Sequence, residues 1–174
     1  GLHNVENAVA ASALALQQGV SEAWLKIGLR TFKGVQRRFE PVIVSQNLVY
    51  IDDYAHHPEE IKACLSSLRE MYPNRRITAV FQPHLFTRTR DFADEFAAAL
   101  SLADDLLMLD IYPAREEPIV GITSQWLLDK VSLAEKQMVS KEGLVHALSD
   151  LKPQLIVTMG AGDIDRLVNE IKDY

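Results

Sequence analysis

Early in the chain, apolar residues return every three or four positions; later they come in short unbroken runs separated by polar turns. Val5, Ala8, Val9, Ala13 and Leu16 recur at helical spacing, and alanine is abundant. Residues 4–17 therefore predict a helix ending at Gly19. "VSEAWLKIGLRTF" predicts a second helix, capped by Ser21, with Trp24, Leu25, Ile27 and Leu29 as its apolar positions. The two make a helical hairpin ending near Gly34.

From there the pattern changes. "FEPVIVSQNLVYIDD" reads as two strands joined by a turn at Gln46-Asn47. Helix 58–71 opens with Pro58 in its first turn and stops before Pro73. "ITAVFQ" is a strand, and "TRDFADEFAAALSLA" a helix with Phe92, Phe96, Ala99 and Leu100 on one face. "DLLMLDIY" (strand), "SQWLLDKVS" (helix), "KQMVS" (short strand), "EGLVHALSDL" (helix), "QLIVTMG" (strand) and "DIDRLVNEIKDY" (helix) complete the alternation. Such alternation predicts an α/β class: a Rossmann-like, mostly parallel sheet with helices on both faces. Right-handed crossovers then put every strand-to-helix loop on one rim. The change of pattern divides the chain into a helical segment, 1–32, and an α/β domain, 33–174.

Composition narrows the function. The 174 residues carry a net charge of -6, which argues against non-specific nucleic-acid binding. The single cysteine, Cys64, allows neither a disulfide within the chain nor a multi-cysteine zinc site. No stretch approaches the ~20 apolar residues of a membrane span, and "GLHNVENAVAAS" is no signal peptide. The expectation is a cytoplasmic protein with no membrane or nucleic-acid partner. The missing initiator methionine predicts a fragment.

The candidate chemistry collects where strands end, the usual ligand-binding edge of such sheets. The turns there are Asp52-Asp53-Tyr54-Ala55-His56-His57, Gln82-Pro83-His84-Leu85-Phe86-Thr87-Arg88-Thr89-Arg90, Asp110-Ile111-Tyr112-Pro113-Ala114-Arg115 and Gly160-Ala161-Gly162-Asp163. Asp53, His56, His57 and His84 could ligate a metal ion in a hydrolase. Alternatively, His57 caps the helix at Pro58 and Asp52 satisfies loop amides. Arg88 and Arg90, beside His84, suit a carboxylate or phosphate, and two arginines at a helix start oppose its dipole. "MGAGDI" suits an anion at a helix N-terminus, as in a non-catalytic nucleotide-binding module, and equally a tight turn. There is no GKT or GKS, so any ATP phosphate loop lies outside this chain.

"GLHNVENAVAASALA", "GVQRRFE", "IDDYAHHPEEI", "FQPHLFTRTRDF", "LDIYPAREEPIVGITS" and "TMGAGDI" together resemble the C-terminal part of the Mur ligase family, in order and over nearly the whole chain. The resemblance implies an ATP- and Mg2+-dependent ligase of peptidoglycan precursor synthesis. Its partners would be ATP, UDP-N-acetylmuramate and L-alanine, and the amide would form through an acyl phosphate. Residues 1–32 would be the tail of a central ATPase domain and 33–174 the C-terminal domain, silent by itself. Position by position, Asn7 matches the adenine contact, and His3 and Asn4 flank the nucleotide. Arg38 matches an arginine reaching the phosphates, and Asp53 the carboxylate on the ribose. Tyr54 and His56 match positions near nucleotide and amino acid, and Arg88 the residue holding the amino acid's carboxylate. Leu85-Phe86 replace a common Arg-Tyr, so either Arg88 with His84 suffices, or Arg90 or Arg115 substitutes, or the amino-acid preference has drifted from L-alanine.

Overall fold

The computed structural model describes residues 2–173, with side chains from Asn4 onward, and contains two compact units, Gly1–Val35 and Gln36–Tyr174. In the first, α1 (Leu2–Gln17) and α2 (Glu22–Thr31) join through Gly19, whose φ of 82° suits glycine. The Ser21 hydroxyl accepts from the Trp24 amide and caps α2. No side chain of α2 is buried, and Trp24 is 68% exposed.

The second unit is a six-stranded sheet in the order β1-β2-β6-β3-β4-β5. Its strands are β1 (Glu40–Val44), β2 (Val49–Asp53), β3 (Ile77–Phe81), β4 (Asp105–Met108), β5 (Glu135–Met138) and β6 (Leu155–Met159). Only the β1–β2 pair is antiparallel, closed by the Ser45 amide on Leu48 O at 2.9 Å around the expected turn. The helices are α3 (Pro58–Met71), α4 (Phe86–Asp91), α5 (Ala93–Leu100), α6 (Ser124–Lys130), α7 (Leu144–Leu151) and α8 (Val168–Lys172).

Strand side chains alternate between two cores. Ile51, Ala79, Phe81, Leu106, Met108 and Val157 pack with Ile61, Leu65 and Leu68 of α3, Phe96 and Leu100 of α5, and Leu127 of α6. On the other face, Tyr50, Val80, Leu107 and Ile156 pack with Leu144 and Leu148 of α7, Ile164, and Ile171 of α8. Central strands β2, β3, β4 and β6 are buried throughout, which explains their unbroken apolar runs.

Two predicted helices are subdivided. "TRDFADEFAAALSLA" breaks at Phe92 (φ −119°), whose ring packs edge-on against His57 at 4.8 Å. Of α4 only Thr89 is buried, whereas α5 buries five residues; the break separates a rim segment from a core segment. The last helix begins as a 3-10 turn, Asp163–Leu167.

After β5 the chain returns to insert β6 between β2 and β3. The segments after β2 and β3 lead to the α3 and α5 face, and the one after β6 to the α8 face. Loops therefore diverge on both sides of β6, the arrangement that opens a ligand crevice.

Candidate functional site

The first strand end is closely tied by hydrogen bonds. Asp52, 2% exposed, accepts from Arg37 Nε at 3.0 Å and from the Thr158 hydroxyl at 2.6 Å. Since Thr158 donates there, Tyr50 donates to Thr158, at 3.1 Å. Burial pushes the Tyr50 hydroxyl far up, so it keeps its proton. Arg37 Nη2 also donates to Gly160 O at 2.7 Å, joining this end to the glycine turn. Arg37 and Phe39 hold left-handed φ of 57° and 53°, a conformation costing about 1–3 kcal/mol each, kept by these bonds.

Asp53 is 8% exposed and accepts two backbone amides, Phe39 N at 2.6 Å and Ala55 N at 2.7 Å. Burial raises its pKa, although both amides and Arg38 pull the other way. The alternative in which Asp52 satisfies loop amides is thus corrected: its neighbour Asp53, on the opposite face of the strand, does so, while Asp52 pairs with Arg37. Arg38, with a side chain 54% exposed, stands over the Tyr54 ring at 5.4 Å, and Arg37 over it at 5.3 Å. Glu60 accepts from the amides of His56 (3.0 Å) and His57 (3.2 Å), so a carboxylate closes the start of α3 where His57 is the cap position. Burial alone would raise the Glu60 pKa, but these bonds and His56 bring it below its ordinary value.

Rings then run along the rim. Tyr54 meets His56 at 5.1 Å, His56 meets His84 at 6.1 Å, and His84 stacks on Tyr112 at 5.6 Å. Arg88 Nη1 lies 3.3 Å from His84 Nδ1. A guanidinium can only donate, so neutral His84 carries its proton on Nε2. Burial, Arg88 and His56 hold the His84 pKa below the ordinary value, against Glu116. The Glu116 carboxylate accepts both the amide and the hydroxyl of Thr87, fixing the loop after β4 to α4. Between His84 and α4, Leu85 adopts φ 72°.

The structure therefore brings together Arg38, Asp53, Tyr54, His56, His84 and Arg88. It does not bring Arg90 to them: two residues past Arg88 is about 200° around a helix, and Arg90 Nε donates to Asp91 at 2.7 Å. Asn4 and Asn7 lie exposed on α1 in the other unit, and the His3 side chain is outside the described residues. The four-residue metal set is not assembled, because the His57 ring turns to Phe92 while His56 turns to His84. Among the described residues no three His, Cys, Asp or Glu side chains gather to hold a metal ion.

In "MGAGDI", close packing accounts for both glycines. A β-carbon at Gly160 would lie 2.9 Å from Gln82 O, and one at Gly162 would lie 2.7 Å from Tyr112 Cβ. Gln82 accepts the Ile164 amide at 3.0 Å and donates to Asp163 at 2.9 Å, and Lys141 holds Asp163 at 2.5 Å. Sequence reasoning missed Arg37 and Lys141, and named Gln82 and Tyr112 in the rim turns without giving either a role. The doubled arginine of "QRRFE" was the one signal for Arg37, and only burial separates it from Arg38.

A guanidinium over an aromatic ring, a neighbouring buried acid, and a His-Arg pair one ring further along share the strand-end rim of an α/β domain, the edge where such sheets usually bind ligands. Residues 37–162 match the family model described as Mur ligase, glutamate ligase domain, and the chain belongs to that family. It is 52% identical over 172 residues to the UDP-N-acetylmuramate–L-alanine ligase of Cytophaga hutchinsonii, covering 99% of this chain and 37% of that protein. It is also similar to the crystal structure of the UDP-N-acetylmuramate-alanine ligase of Thermotoga maritima. That match has a TM-score of 0.81 and 30% identity, with 99% of this chain and 37% of the other covered. A folylpolyglutamate synthase from Thermotoga maritima shares the fold, at a TM-score of 0.67 and 18% identity, covering 100% of this chain and 41% of that one. The chain thus spans well under half the length of these proteins.

Proposed function

We propose that this chain supplies the C-terminal clamp of an ATP-dependent ligase that joins L-alanine to UDP-N-acetylmuramate in peptidoglycan precursor synthesis, in the bacterial cytoplasm. The observation that carries this reading is the 6.1 Å approach of the His56 and His84 rings, which sets the Arg38–Asp53–Tyr54 corner beside the His84–Arg88 pair. The names of its relatives supply the substrates.

ATP would activate the muramoyl carboxylate as an acyl phosphate, which the amine of L-alanine attacks. This chain's part is positioning and charge stabilisation. The Arg38 guanidinium, exposed over Tyr54, is placed to meet phosphate. Asp53 keeps lone pairs beyond its two amide bonds and could accept from a ribose hydroxyl. Arg88, oriented by His84, would hold the amino acid's carboxylate with its remaining donors. His56 stands between the two. Among the described residues no three His, Cys, Asp or Glu side chains gather to hold Mg2+, which would be bound mostly by the upstream ATPase domain. In this reading residues 1–32 belong to the upstream ATPase domain, where Asn4 and Asn7 would meet the nucleotide; His3, assigned beside them by resemblance, has its side chain outside the described residues.

The test is phosphate release by the full-length ligase carrying this chain, with a panel of amino acids. Release should require UDP-N-acetylmuramate and be fastest with L-alanine, while the 174-residue chain alone should give none. Turnover by the isolated chain, or indifference to the amino acid, would overturn the reading.

A further inference from the structure

Tyr112 is clamped between two loops. Its amide donates to Pro83 O at 2.8 Å, and its carbonyl accepts from Leu85 N at 3.0 Å, a bridge that sets it beside His84. Its ring stacks on His84, with centroids 5.6 Å apart and planes at 24°. Gly162 leaves it room: a β-carbon there would lie 2.7 Å from both Tyr112 Cβ and Cγ. Gly162 is itself held by its neighbour Asp163, which Gln82 and Lys141 bind.

Tyr112 also lines a crevice of about 370 Å3 at the ends of β4 and β5, with Gln82, Asp110, Ser140, Lys141 and Asp163. His84 and Arg88 do not line it. The tyrosine ring therefore stands between the His84–Arg88 pair and a space large enough for several more carbon atoms. These two loops diverge to opposite faces of the sheet, so the crevice is a second switch point.

We propose that Tyr112 is a selectivity wall: stacked on His84 and backed by Gly162, it limits the incoming amino acid to a small side chain. This rests on the reading of His84 and Arg88 as the amino-acid site. With the ring in place, a side chain longer than a methyl is stopped by the His84–Tyr112 stack. With it removed, the site opens into the crevice and longer chains fit. Excluding a methylene from a packed apolar wall is worth roughly tenfold or more in selectivity.

The experiment uses the full-length ligase and compares kcat/KM for L-alanine with that for L-norvaline and L-norleucine. Tyr112→Ala should lower the L-alanine preference about tenfold or more, chiefly by admitting the longer amino acids. Tyr112→Phe should keep it, because the ring and not the hydroxyl forms the wall. Gly162→Ala should act in the opposite sense, driving the ring toward His84 and raising KM for L-alanine without admitting longer substrates. A merely structural role would lower all rates together and leave the ratios alone. If Tyr112→Ala does not fold, Tyr112→Leu carries the same expectation. An active variant lacking the ring but keeping the parent's ratios overturns this inference alone; a parent that ligates no amino acid overturns the underlying reading with it.

Discussion

At one end of the rim Asp53 gives both carboxylate oxygens to backbone amides, and buried Asp52 is paired and hydrogen-bonded. At the other end the Arg88 guanidinium makes a single hydrogen bond among the described residues, to His84. The first corner holds strained backbone and presents Arg38; the second keeps donors unsatisfied by protein and so available to a ligand. Unpaired polar groups are costly when buried and cheap when water reaches them, which fits a half-buried Arg88 with spare donors and a buried Asp52 with its partners in place. The lesson is that a hydrogen-bond-rich residue at a strand end can be the scaffold, and its sparsely bonded neighbour the binder.

Substitutions can break this contrast. The largest effect belongs to Arg37→Ala. It leaves buried Asp52 without its cation, and loss of one partner of such a pair costs about 3–5 kcal/mol. Urea unfolding should show a drop of that order; a loss under about 1 kcal/mol would mean the corner is not held by this pair. Arg88→Ala should behave in the reverse way, nearly silent in unfolding. In the full-length ligase it should cost about 2–4 kcal/mol in kcat/KM for the amino acid. Equal kinetics with and without Arg88 would remove it from the site.

A pH titration sharpens the comparison further. The folded chain binds a proton at His84 less readily than the unfolded chain, because of burial, Arg88 and His56. Stability is then lost as pH falls through the ordinary histidine value of about 6.5 toward the lower folded value, and this term is flat above it. His84→Asn should show a shallower decline than the parent over that window; identical slopes would contradict a neutral His84. Arg90→Ala should do least, because its exposed side chain is hydrogen-bonded to the neighbouring Asp91 and points away from His84: amino-acid KM and unfolding midpoint should both stay at the parent's values.

Much of this was legible beforehand. Unbroken runs such as "ITAVF" and "LIVTM" announced buried parallel strands, and Pro58 and Pro73 bracketed α3. Other features carried no linear signal. Nothing in "DDYAHHP" says that Asp52 points to the α8 face and Asp53 to loop amides, nor that His57 turns toward Phe92. Arg88 and Arg90 look equivalent in "TRTRDF", and the helical twist separates them.

The sequence by itself determined the alternation of strand and helix, and hence a sheet whose polar strand ends share one edge, because hydrophobic period and backbone handedness are local properties. Only the tertiary structure decided which of those polar residues became scaffold and which stayed open. That choice depends on burial and on partners as distant in the chain as Arg37 and Gly160, and desolvation is set by what surrounds a group in space.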